Sequence, residues 1–282
     1  MLTDVIDLLH CPHCTGELTL TGGTAGCPAG HRFDVARQGQ LNLLRRSAGA
    51  NADTAAMVAD RVAFLAAGHY APIAELVASA AVGSVAVEAG AGTGYYLDAV
   101  VSRLARTAPG ARGLATDVST YASRRAAKLP RIGAVVADTW AGLPIRSGIA
   151  DTVLAVFAPR NLEEFARICA PSGRVLVVTP LPAHLAEVRH TAGLMTIEEG
   201  KHERLLAEAR TCLTHDRHED LCYRIDLSPD EQRHLIGMGP NAFHTQPAGR
   251  PETSIATTVA VRLDVFRHPA ASTAPGRGQR AV

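Results

Sequence analysis

The chain has 282 residues, a formal net charge of +1 and 47% hydrophobic residues. That length predicts one main domain with a smaller accessory one, and the lack of any uncharged apolar run of about twenty residues excludes a membrane-spanning helix. The near-neutral charge excludes a strongly basic protein whose overall field attracts nucleic acid, so any basic surface must be local. Acidic residues at Asp4 and Asp7 stand where a signal peptide carries basic ones, so we expect a cytoplasmic protein with reduced thiols.

Residues 1–45 are predicted to form a small zinc-binding module. Two pairs of closely spaced metal-binding side chains occur there, and a hairpin that joins the pairs supplies the ligands of a closed tetrahedral zinc site. The predicted ligands are Cys11, Cys14, Cys27 and His31. A redox Cys-x-x-Cys motif is the main alternative, but it explains neither Cys27 nor His31; His10 and His13 are alternative ligands with less suitable spacing. In so small a module the metal would support folding rather than chemistry.

Helical patterns and then alternating strands and helices follow this module. Apolar residues at helical spacing predict two helices that bridge residues 46–80. Over residues 82–180, short β-branched runs alternate with helical stretches, which predicts a parallel, doubly wound sheet. A Rossmann-like α/β domain is therefore predicted over residues 81–267. The predicted strands are 85–87, 113–115, 135–136, 152–156 and 175–178, and the predicted helices are 96–107, 119–128 and 161–169.

The last third of the chain is less regular. A polar helical region runs from His184 to about Arg210, and a final strand is predicted from Thr257 to Phe266. Residues 268–282 are rich in Ala, Pro, Gly and Ser/Thr, which predicts a disordered tail. The three cysteines outside the module lack ligand spacing and are interpreted as buried or incidental thiols.

The first strand of the main domain runs into a glycine-rich turn that opens a helix. Gly90, Gly92 and Gly94 let a ligand approach the backbone closely, because glycine has no side chain. A dinucleotide fingerprint of the form G-x-G-x-x-G requires a glycine at position 95, where Tyr95 stands. The pattern therefore favours S-adenosylmethionine over a nicotinamide dinucleotide.

Acidic side chains end three consecutive predicted strands, at Glu88, Asp117 and Asp138. In such folds a carboxylate at the position of Asp117 can accept hydrogen bonds from both hydroxyls of an adenosine ribose. Asp138 would lie near the adenine amino group. Aspartates also cap helices that follow strands, and for Asp138 alone that interpretation is equally open.

The segment Phe157-Ala158-Pro159-Arg160-Asn161 follows the fourth strand, where methyltransferases of this fold place residues that face the substrate. It is not the Asn/Asp-Pro-Pro-Tyr/Phe motif that holds an exocyclic amine, so modification of an adenine or cytosine amino group is disfavoured. A proline-bounded loop that does not contact substrate is the alternative.

Together these residues resemble the bacterial large-subunit ribosomal RNA guanine-N1 methyltransferases, a family that includes enzymes linked to resistance to tylosin-like macrolides. The resemblance runs from Cys11 to about Pro247, with its blocks in the same order. The blocks are the zinc ligands, 31–36 (HRFDVA), 39–44 (GQLNLL), Met57, Arg61, Ala63-Phe64-Leu65, Gly68-His69-Tyr70, the glycine loop with Tyr95-Tyr96, Asp117-Val118-Ser119, Phe157-Ala158-Pro159, Thr179-Pro180, His184-Leu185 and Met238-Gly239-Pro240.

The resemblance implies a class I methyltransferase domain with zinc at the four positions named above. The cofactor contacts that it implies are Tyr70, Gly92, Thr93 and His184, to which the strand ends and the glycine turn add Glu88, Gly90 and Asp117. Glu88-Ala89-Gly90 replaces the family's usual Asp-Ile-Gly, and Ala91-Gly92-Thr93 differs from the Cys-Gly-Glu of some members. Glutamate keeps the carboxylate but moves it outward by one methylene, so we expect the cofactor geometry to shift.

The implied reaction is methyl transfer to N1 of a guanine in a 23S rRNA hairpin near the peptide exit tunnel. RNA binding would fall to the zinc module, where local positive charge is provided by Arg32, Arg37, Arg45 and Arg46. The resemblance also suggests a homodimer that shares a cleft. No residue is predicted as the general base, and Arg160 and Asn161 are positioned to hold the guanine O6 or a phosphate.

Two alternative functions remain open from the sequence. One is a small-molecule methyltransferase of a biosynthetic pathway, in which the zinc module would have no evident purpose. The other is a zinc-containing RNA-binding protein without catalysis, which the altered loop at Glu88 permits. Binding of S-adenosylmethionine distinguishes the second from an active enzyme.

Overall fold

A computed structural model describes residues 1–46, 52–192, 200–239 and 251–269. Its elements, in chain order, are β1 (Thr19–Thr21), β2 (Thr24–Gly26), β3 (Arg32–Asp34), β4 (Leu41–Asn42), α1 (Ala55–Ala66), α2 (Ala71–Ala80), β5 (Val85–Ala89), α3 (Tyr95–Leu104), β6 (Arg112–Asp117), α4 (Thr120–Ala126), β7 (Ile132–Val136), β8 (Ala150–Val156), α5 (Leu162–Ile168), β9 (Cys169–Pro180), α6 (Ala186–Thr191), α7 (Lys201–Ala209), β10 (Thr214–Leu227), α8 (Pro229–Gly237) and β11 (Ile255–Arg267). Short 3-10 turns occur at Leu2–Asp4, Ile6–Leu8 and Thr139–Ala141.

The main sheet of the described chain has the order β10-β11-β9-β8-β5-β6-β7-β4. Neighbouring strands from β9 to β4 pair in parallel, whereas β11 is antiparallel to both β9 and β10. From β5 the strand order proceeds in opposite directions, through β6 on one side and β8 on the other. This confirms the predicted doubly wound α/β fold and places its topological switch point between β5 and β8.

The central strands form because their sequences suit burial on both faces. Strand β7 is entirely buried, and Val153, Leu154 and Ala155 of β8 are as well. Continuous apolar runs of this kind are typical of parallel strands covered by helices on both sides. Helices cover both faces, with α2 and α3 packed on one side and α5 and α7 on the other. The carboxyl ends of the parallel strands are therefore left to form a site.

The N-terminal module is joined firmly to the main domain. Strands β1, β2 and β3 form a small antiparallel sheet, but β4 pairs in parallel with β7 of the main sheet. Arg112 of β6 donates two hydrogen bonds, of 2.7 and 2.8 Å, to the carboxylate of Asp7. Val5 packs so closely on Gly133 that any side chain at position 133 would collide with it. The module and the main domain thus share one apolar cluster.

The predicted strands are longer in the structure, whereas the three predicted helices between them are shorter. The structure also contains elements that the sequence interpretation had left unassigned, in the N-terminal module and near the C-terminus. Strand β10 and helix α8 lie between the predicted helical region and the last strand. The predicted boundaries at residues 45, 80 and 267 stay predictions, and the predicted tail lies outside the described residues from position 270 onward. None of the helices in the described residues has the length and apolar composition of a membrane-spanning helix. Helices α1 and α2 have them only when taken together, and an 85° bend separates the two.

Candidate zinc centre and cofactor cleft

The four predicted zinc ligands converge in the N-terminal module. Their ligand atoms all lie within 4.8 Å of one another. The Sγ of Cys27 is 3.4 Å from His31 Nδ1 and 3.5 Å from Cys14 Sγ, and Cys11 Sγ is 3.6 Å from the same Nδ1. Zinc–sulfur bonds of about 2.3 Å and zinc–nitrogen bonds of about 2.05 Å at tetrahedral angles require separations of about 3.6 to 3.8 Å. The set therefore fits one zinc ion with no open position.

Local turns hold these ligands in place. The backbone N–H of Cys11 donates to Gly16 O at 2.7 Å, and that of Cys27 donates to His31 O at 3.1 Å. The two alternative histidines lie beside the cluster but outside it. The His13 ring lies against that of His31, with centroids 5.0 Å apart, and stacks on Phe33, and His10 Nδ1 is 3.2 Å from the carbonyl of Cys11. Four protein ligands leave no place for a reacting group, so the zinc has a structural role.

A narrow cleft with about 400 Å³ of open space lies at the switch point between β5 and β8. Ligands of doubly wound folds bind at this position, outside the carboxyl ends of the strands. Five of the seven predicted cofactor residues line it: Tyr70, Glu88, Gly90, Gly92 and Thr93. Asp117 and His184 lie just behind the lining, each bonded to a residue in it.

The glycine turn at the floor of the cleft requires glycine for two reasons. Gly90 and Gly92 have φ angles of +65° and +53°, which residues with side chains rarely adopt. A Cβ on Gly90 would also lie 2.6 Å from Ala158 Cβ, in the loop that follows β8. The backbone of the loop after β5 therefore packs against the Ala158 side chain of the loop after β8. The N–H of Gly92 donates to Asp117.

Asp117 organises the turn and keeps spare hydrogen-bonding capacity. Its Oδ2 accepts from the N–H of Gly92 at 2.8 Å, and its Oδ1 accepts from the N–H of Ser119 at 2.7 Å. Burial raises the pKa of this carboxyl, and the two backbone donors lower it. A carboxylate has about four acceptor positions, so two remain for the hydroxyls of a ribose. The residues thus fit the adenosine part of S-adenosylmethionine.

Asp138 acts in the structure as a helix cap. Its Oδ1 accepts from the N–H of Trp140 at 2.9 Å, at the start of the short turn that follows β7. This is the capping role that the sequence interpretation had left open beside an adenine contact. The adenine contact stays a prediction.

Glu88 differs from the carboxylate that the sequence interpretation expected. Its side chain is buried, and Oε2 accepts from the N–H of Leu97 at 3.1 Å. Burial raises the pKa of Glu88 to about 8, partly offset by that hydrogen bond. The residue is therefore a neutral acid at pH 7 that ties β5 to the first turn of α3.

We expect Glu88→Gln to stabilise the protein increasingly as pH rises from 4.5 to 8. The folded protein keeps the Glu88 proton up to about pH 8, whereas the unfolded chain releases it near the ordinary value of 4.5, so the wild-type free energy of unfolding falls over that interval. Glutamine imitates the protonated acid and removes this dependence. Melting temperatures at pH 5 and pH 8 test this, with the exposed Glu75→Gln as control; a pH-independent difference would contradict it.

Tyr70 and His184 form a buried pair at the side of the cleft. Tyr70 Oη is 3.3 Å from His184 Nε2, and His184 Nδ1 accepts from the N–H of Ala260 at 3.3 Å. Burial lowers the pKa of His184 to about 4, so the ring is neutral, and with Nδ1 accepting, the proton is on Nε2 and is donated to Tyr70. Burial also raises the pKa of Tyr70. The Tyr70 hydroxyl thus keeps its own proton to donate into the cleft.

Replacing Tyr70 with phenylalanine is expected to raise the Kd for S-adenosylmethionine about tenfold, the value of one hydrogen bond from a buried donor. Tyr223→Phe is the matched control, since the Tyr223 hydroxyl donates to His69 O at 2.7 Å and lies outside the cleft lining. Both variants should lose some stability, but only the first should bind the cofactor more weakly. Isothermal titration calorimetry measures this, and equal Kd values for the two variants would refute the role of Tyr70.

An aromatic residue stands at the mouth of the cleft. Phe157 follows β8 with a φ of +52°, an uncommon conformation for a bulky residue, and its side chain is 38% exposed. Its ring stacks on His184 with centroids 5.6 Å apart and lies 6.0 Å from Tyr70. Backbone strain of this kind is often found at functional sites. The exposed part of Phe157 is therefore accessible to a bound molecule.

Arg61 of α1 is a cleft residue for which the sequence interpretation predicted no role. Its Nη2 donates to Asp53 at 2.7 Å and to Met238 O at 2.9 Å, while its buried Nε has no hydrogen-bond partner among the described residues. The side chain lies beside Gly92. Helical spacing gives no sign of this, because the contact depends on how α1 packs on the glycine turn.

Comparison with known proteins is consistent with this geometry. Residues 9–45 match a zinc-ribbon family described as RlmA, N-terminal. A Streptomyces fradiae protein named 23S rRNA (guanine(748)-N(1))-methyltransferase is 42% identical over 255 residues, covering 88% of this chain and 90% of the relative. A Micromonospora griseorubida protein is provisionally named a 23S rRNA (guanine-N(1)-)-methyltransferase. It is 39% identical over an alignment of 303 positions, gaps included, which covers 95% of this chain and 99% of the relative.

A solved structure shows the same fold. A chain from the complex between the Haloferax volcanii Trm112 methyltransferase activator and a methyltransferase superposes with a TM-score of 0.51. The two sequences are 17% identical, and the match covers 78% of this chain and 100% of that one.

Proposed function

The chain belongs to the 23S rRNA (guanine-N1)-methyltransferase family, and from this membership we propose that it methylates N1 of a guanine in a hairpin of 23S rRNA. It is an enzyme that uses S-adenosylmethionine and carries structural zinc. The observation that carries the proposal is the cleft at the switch point, whose residues suit an adenosyl cofactor and whose mouth holds an exposed aromatic ring.

Bound S-adenosylmethionine would supply a methyl group on a positively charged sulfur. The chain's own residues orient that group. The free acceptor positions of Asp117 suit the ribose hydroxyls, and the Tyr70 hydroxyl, which lines the cleft, retains a proton to donate to the cofactor. Correct alignment of donor and acceptor atoms supplies much of the rate enhancement in such reactions.

The target guanine must present its N1 edge, so its base has to leave any duplex. Phe157 at the mouth offers a ring on which the extruded base can stack. Guanine N1 carries a proton at neutral pH, and Glu88 cannot accept it while its own proton is retained to about pH 8. The side chain of Asn161, which the sequence interpretation placed against guanine O6 or a phosphate, already has two partners in the structure. Its oxygen accepts from the N–H of Glu164 at the start of α5, and its NH2 group donates to Thr139 O at 3.0 Å.

A groove between the zinc module and the main domain is the proposed path of the RNA. Arg45 and Arg46 line it, together with Val118 and Asp138, which follow the ends of β6 and β7. The groove thus lies beside Asp117, at the edge of the cofactor site. Arginine side chains at such a position neutralise phosphates, which supplies most of the affinity for RNA.

We expect Arg45→Ala combined with Arg46→Ala to raise the KM for rRNA at least tenfold without changing the Kd for S-adenosylmethionine. Loss of two phosphate contacts should also reduce the dependence of log Kd on log salt by about 1.5. Filter binding at several salt concentrations measures this. Arg103→Ala with Arg106→Ala, exposed residues at the end of α3, is the control. An unchanged salt slope would contradict the proposed path.

The experiment that tests the whole proposal is primer extension on 23S rRNA incubated with the protein and S-adenosylmethionine. N1-methylguanine cannot pair and stops reverse transcriptase. We expect one new stop, in the hairpin that contains the guanine named for the Streptomyces fradiae relative. Cofactor binding without a stop would favour a small-molecule acceptor, and no cofactor binding would favour an RNA-binding protein without catalysis.

Three finer points belong to the same proposal. The protein would act in the cytoplasm, where ribosomes are assembled, and as a homodimer that shares the RNA cleft. A methyl group on an exit-tunnel guanine would hinder macrolides that bind there. A monomeric mass in light scattering with full activity would contradict the dimer, and an unchanged macrolide sensitivity of cells that express the protein would contradict resistance.

A further inference from the structure

A second group of metal-binding side chains lies on the far edge of the main sheet. Helix α7 contributes His202, β10 contributes His215 and His218, and β11 contributes Asp264. The three imidazole rings have centroid separations of 5.9 to 6.4 Å. The ligand atoms of His202, His218 and Asp264 lie within 4.8 Å of one another. Helix α7 and the β10–β11 hairpin thus place three histidines around one carboxylate.

The carboxylate is fully buried and only partly satisfied. Asp264 has a relative exposure of 0%, and its Oδ1 is 2.9 Å from Nε2 of His215. Its Oδ2 is 3.4 Å from His202 Nδ1, but neither of these two atoms makes a hydrogen bond within the described residues, although both are shielded from solvent. A buried charge with an unpaired oxygen is costly, so a missing partner is expected at this point.

The separations suit a metal ion at that point. Zinc bonds of about 2.0 to 2.1 Å to nitrogen and oxygen at tetrahedral angles require ligand atoms about 3.3 Å apart. The His202 and Asp264 pair already meets this distance. The ring nitrogen of His218 lies within 4.8 Å of the other two ligand atoms, so metal binding requires a change in the side-chain torsions of His218, an exposed residue. His215 would hold the other oxygen of the carboxylate, as a hydrogen-bonded neighbour often does for a metal ligand.

We propose that His202, His218 and Asp264 bind a divalent transition metal of the zinc class, with the fourth position open to water. Two imidazoles and a carboxylate suit such ions better than calcium or magnesium, which prefer oxygen ligands. The charged pair beside the site, Arg262 with Asp220 at 2.6 Å, is already satisfied.

This site is separate from both the zinc ribbon and the cofactor cleft. Asp264 and Phe266 are two residues apart on β11 and share a face of the sheet, the face covered by α5 and α7. Leu263 and Val265 point to the opposite face, where Tyr70 packs. A metal there would fasten α7 to the β10–β11 hairpin and take no part in methyl transfer.

Zinc analysis of the full chain, purified without a histidine tag and dialysed after loading with excess zinc, tests the proposal. We expect two zinc ions per chain in the wild type and one in the double variant His202→Asn/His218→Asn, with the ribbon zinc retained. His190→Asn, an exposed histidine on α6, is the matched control and should keep two. One ion in the wild type, or two in the double variant, would overturn the proposal.

A second readout guards against loss of folding in the variant. Added zinc should raise the melting temperature of the wild type and of His190→Asn, but not that of the double variant. The single variant His218→Asn, at an exposed position, should weaken binding at the second site at least about tenfold. If His218→Asn binds zinc at the second site as tightly as the wild type does, His218 is not a metal ligand and the proposal fails.

Discussion

Replacing Asp117 with asparagine is expected to weaken S-adenosylmethionine binding about 100-fold, equivalent to about 2.7 kcal/mol. Two backbone N–H groups, from Gly92 and Ser119, point at the two oxygens of Asp117. Asparagine has one oxygen and one NH2 group, so one backbone donor meets another donor and is left buried without a partner. That conflict costs about 1 to 3 kcal/mol, and the ribose also loses a charged acceptor.

Calorimetric titration of S-adenosylmethionine into the variant measures this loss directly. Asp226→Asn, an exposed position on β10, is the control and should bind as the wild type does. Primer extension with Asp117→Asn should show a stop about tenfold weaker at cofactor concentrations about ten times the wild-type Kd. A Kd within threefold of the wild-type value would mean that Asp117 only shapes the loop.

Loss of one zinc ligand should have the other large effect. We expect Cys14→Ser to remove one zinc ion per chain, to lower the melting temperature by at least about 5 °C and to reduce rRNA methylation more than tenfold. Serine is a poor zinc ligand, so three ligands remain for a metal that the small module needs for folding. The loss of stability should extend to the whole chain, because Cys11 and Cys27 lie in the apolar cluster that also contains residues of β5, β6 and β7.

Cys222→Ser supplies a matched control, since Cys222 is also an exposed thiol but lies on β10, away from the zinc ligands. Differential scanning calorimetry and metal analysis follow the two variants side by side. If Cys14→Ser keeps its zinc, the ligand set is incorrect. If it loses zinc at an unchanged melting temperature, the metal does not support the fold.

The central part of the fold could be predicted because its physical signals are local. Strands β5 to β9 are short apolar runs, and the helices between them show amphipathic spacing, so the alternation alone indicates a doubly wound sheet. The zinc ligands could be predicted equally well, since pairs of closely spaced Cys and His residues have few other uses. The structure brings those four side chains together as the spacing predicted.

Other parts depend on contacts between distant segments. Strand β10 lies at the edge of the sheet, and most of its side chains from Thr214 to Asp220 are exposed, so this half carries no apolar alternation. Its second half does carry one, which the sequence interpretation overlooked: apolar residues at every second position from Leu221 to Leu227 alternate with exposed residues. Helix α8 did carry a signal, a capping box formed by Ser228, the residue before the helix, and Glu231 in its first turn. The neutral state of Glu88 and the position of Arg61 follow from tertiary burial, which no spacing in the sequence reveals.

The pairing of β4 with β7 has a consequence for how the protein avoids self-association. An uncovered β7 would present unpaired N–H and C=O groups along a fully buried, apolar strand, which is a template for intermolecular strand addition. The two-residue strand Leu41–Asn42 blocks part of that edge, and the residues before it cover the neighbouring surface. A fragment lacking the first 45 residues is therefore expected to aggregate, so that the zinc ion indirectly protects the solubility of a domain that it does not touch.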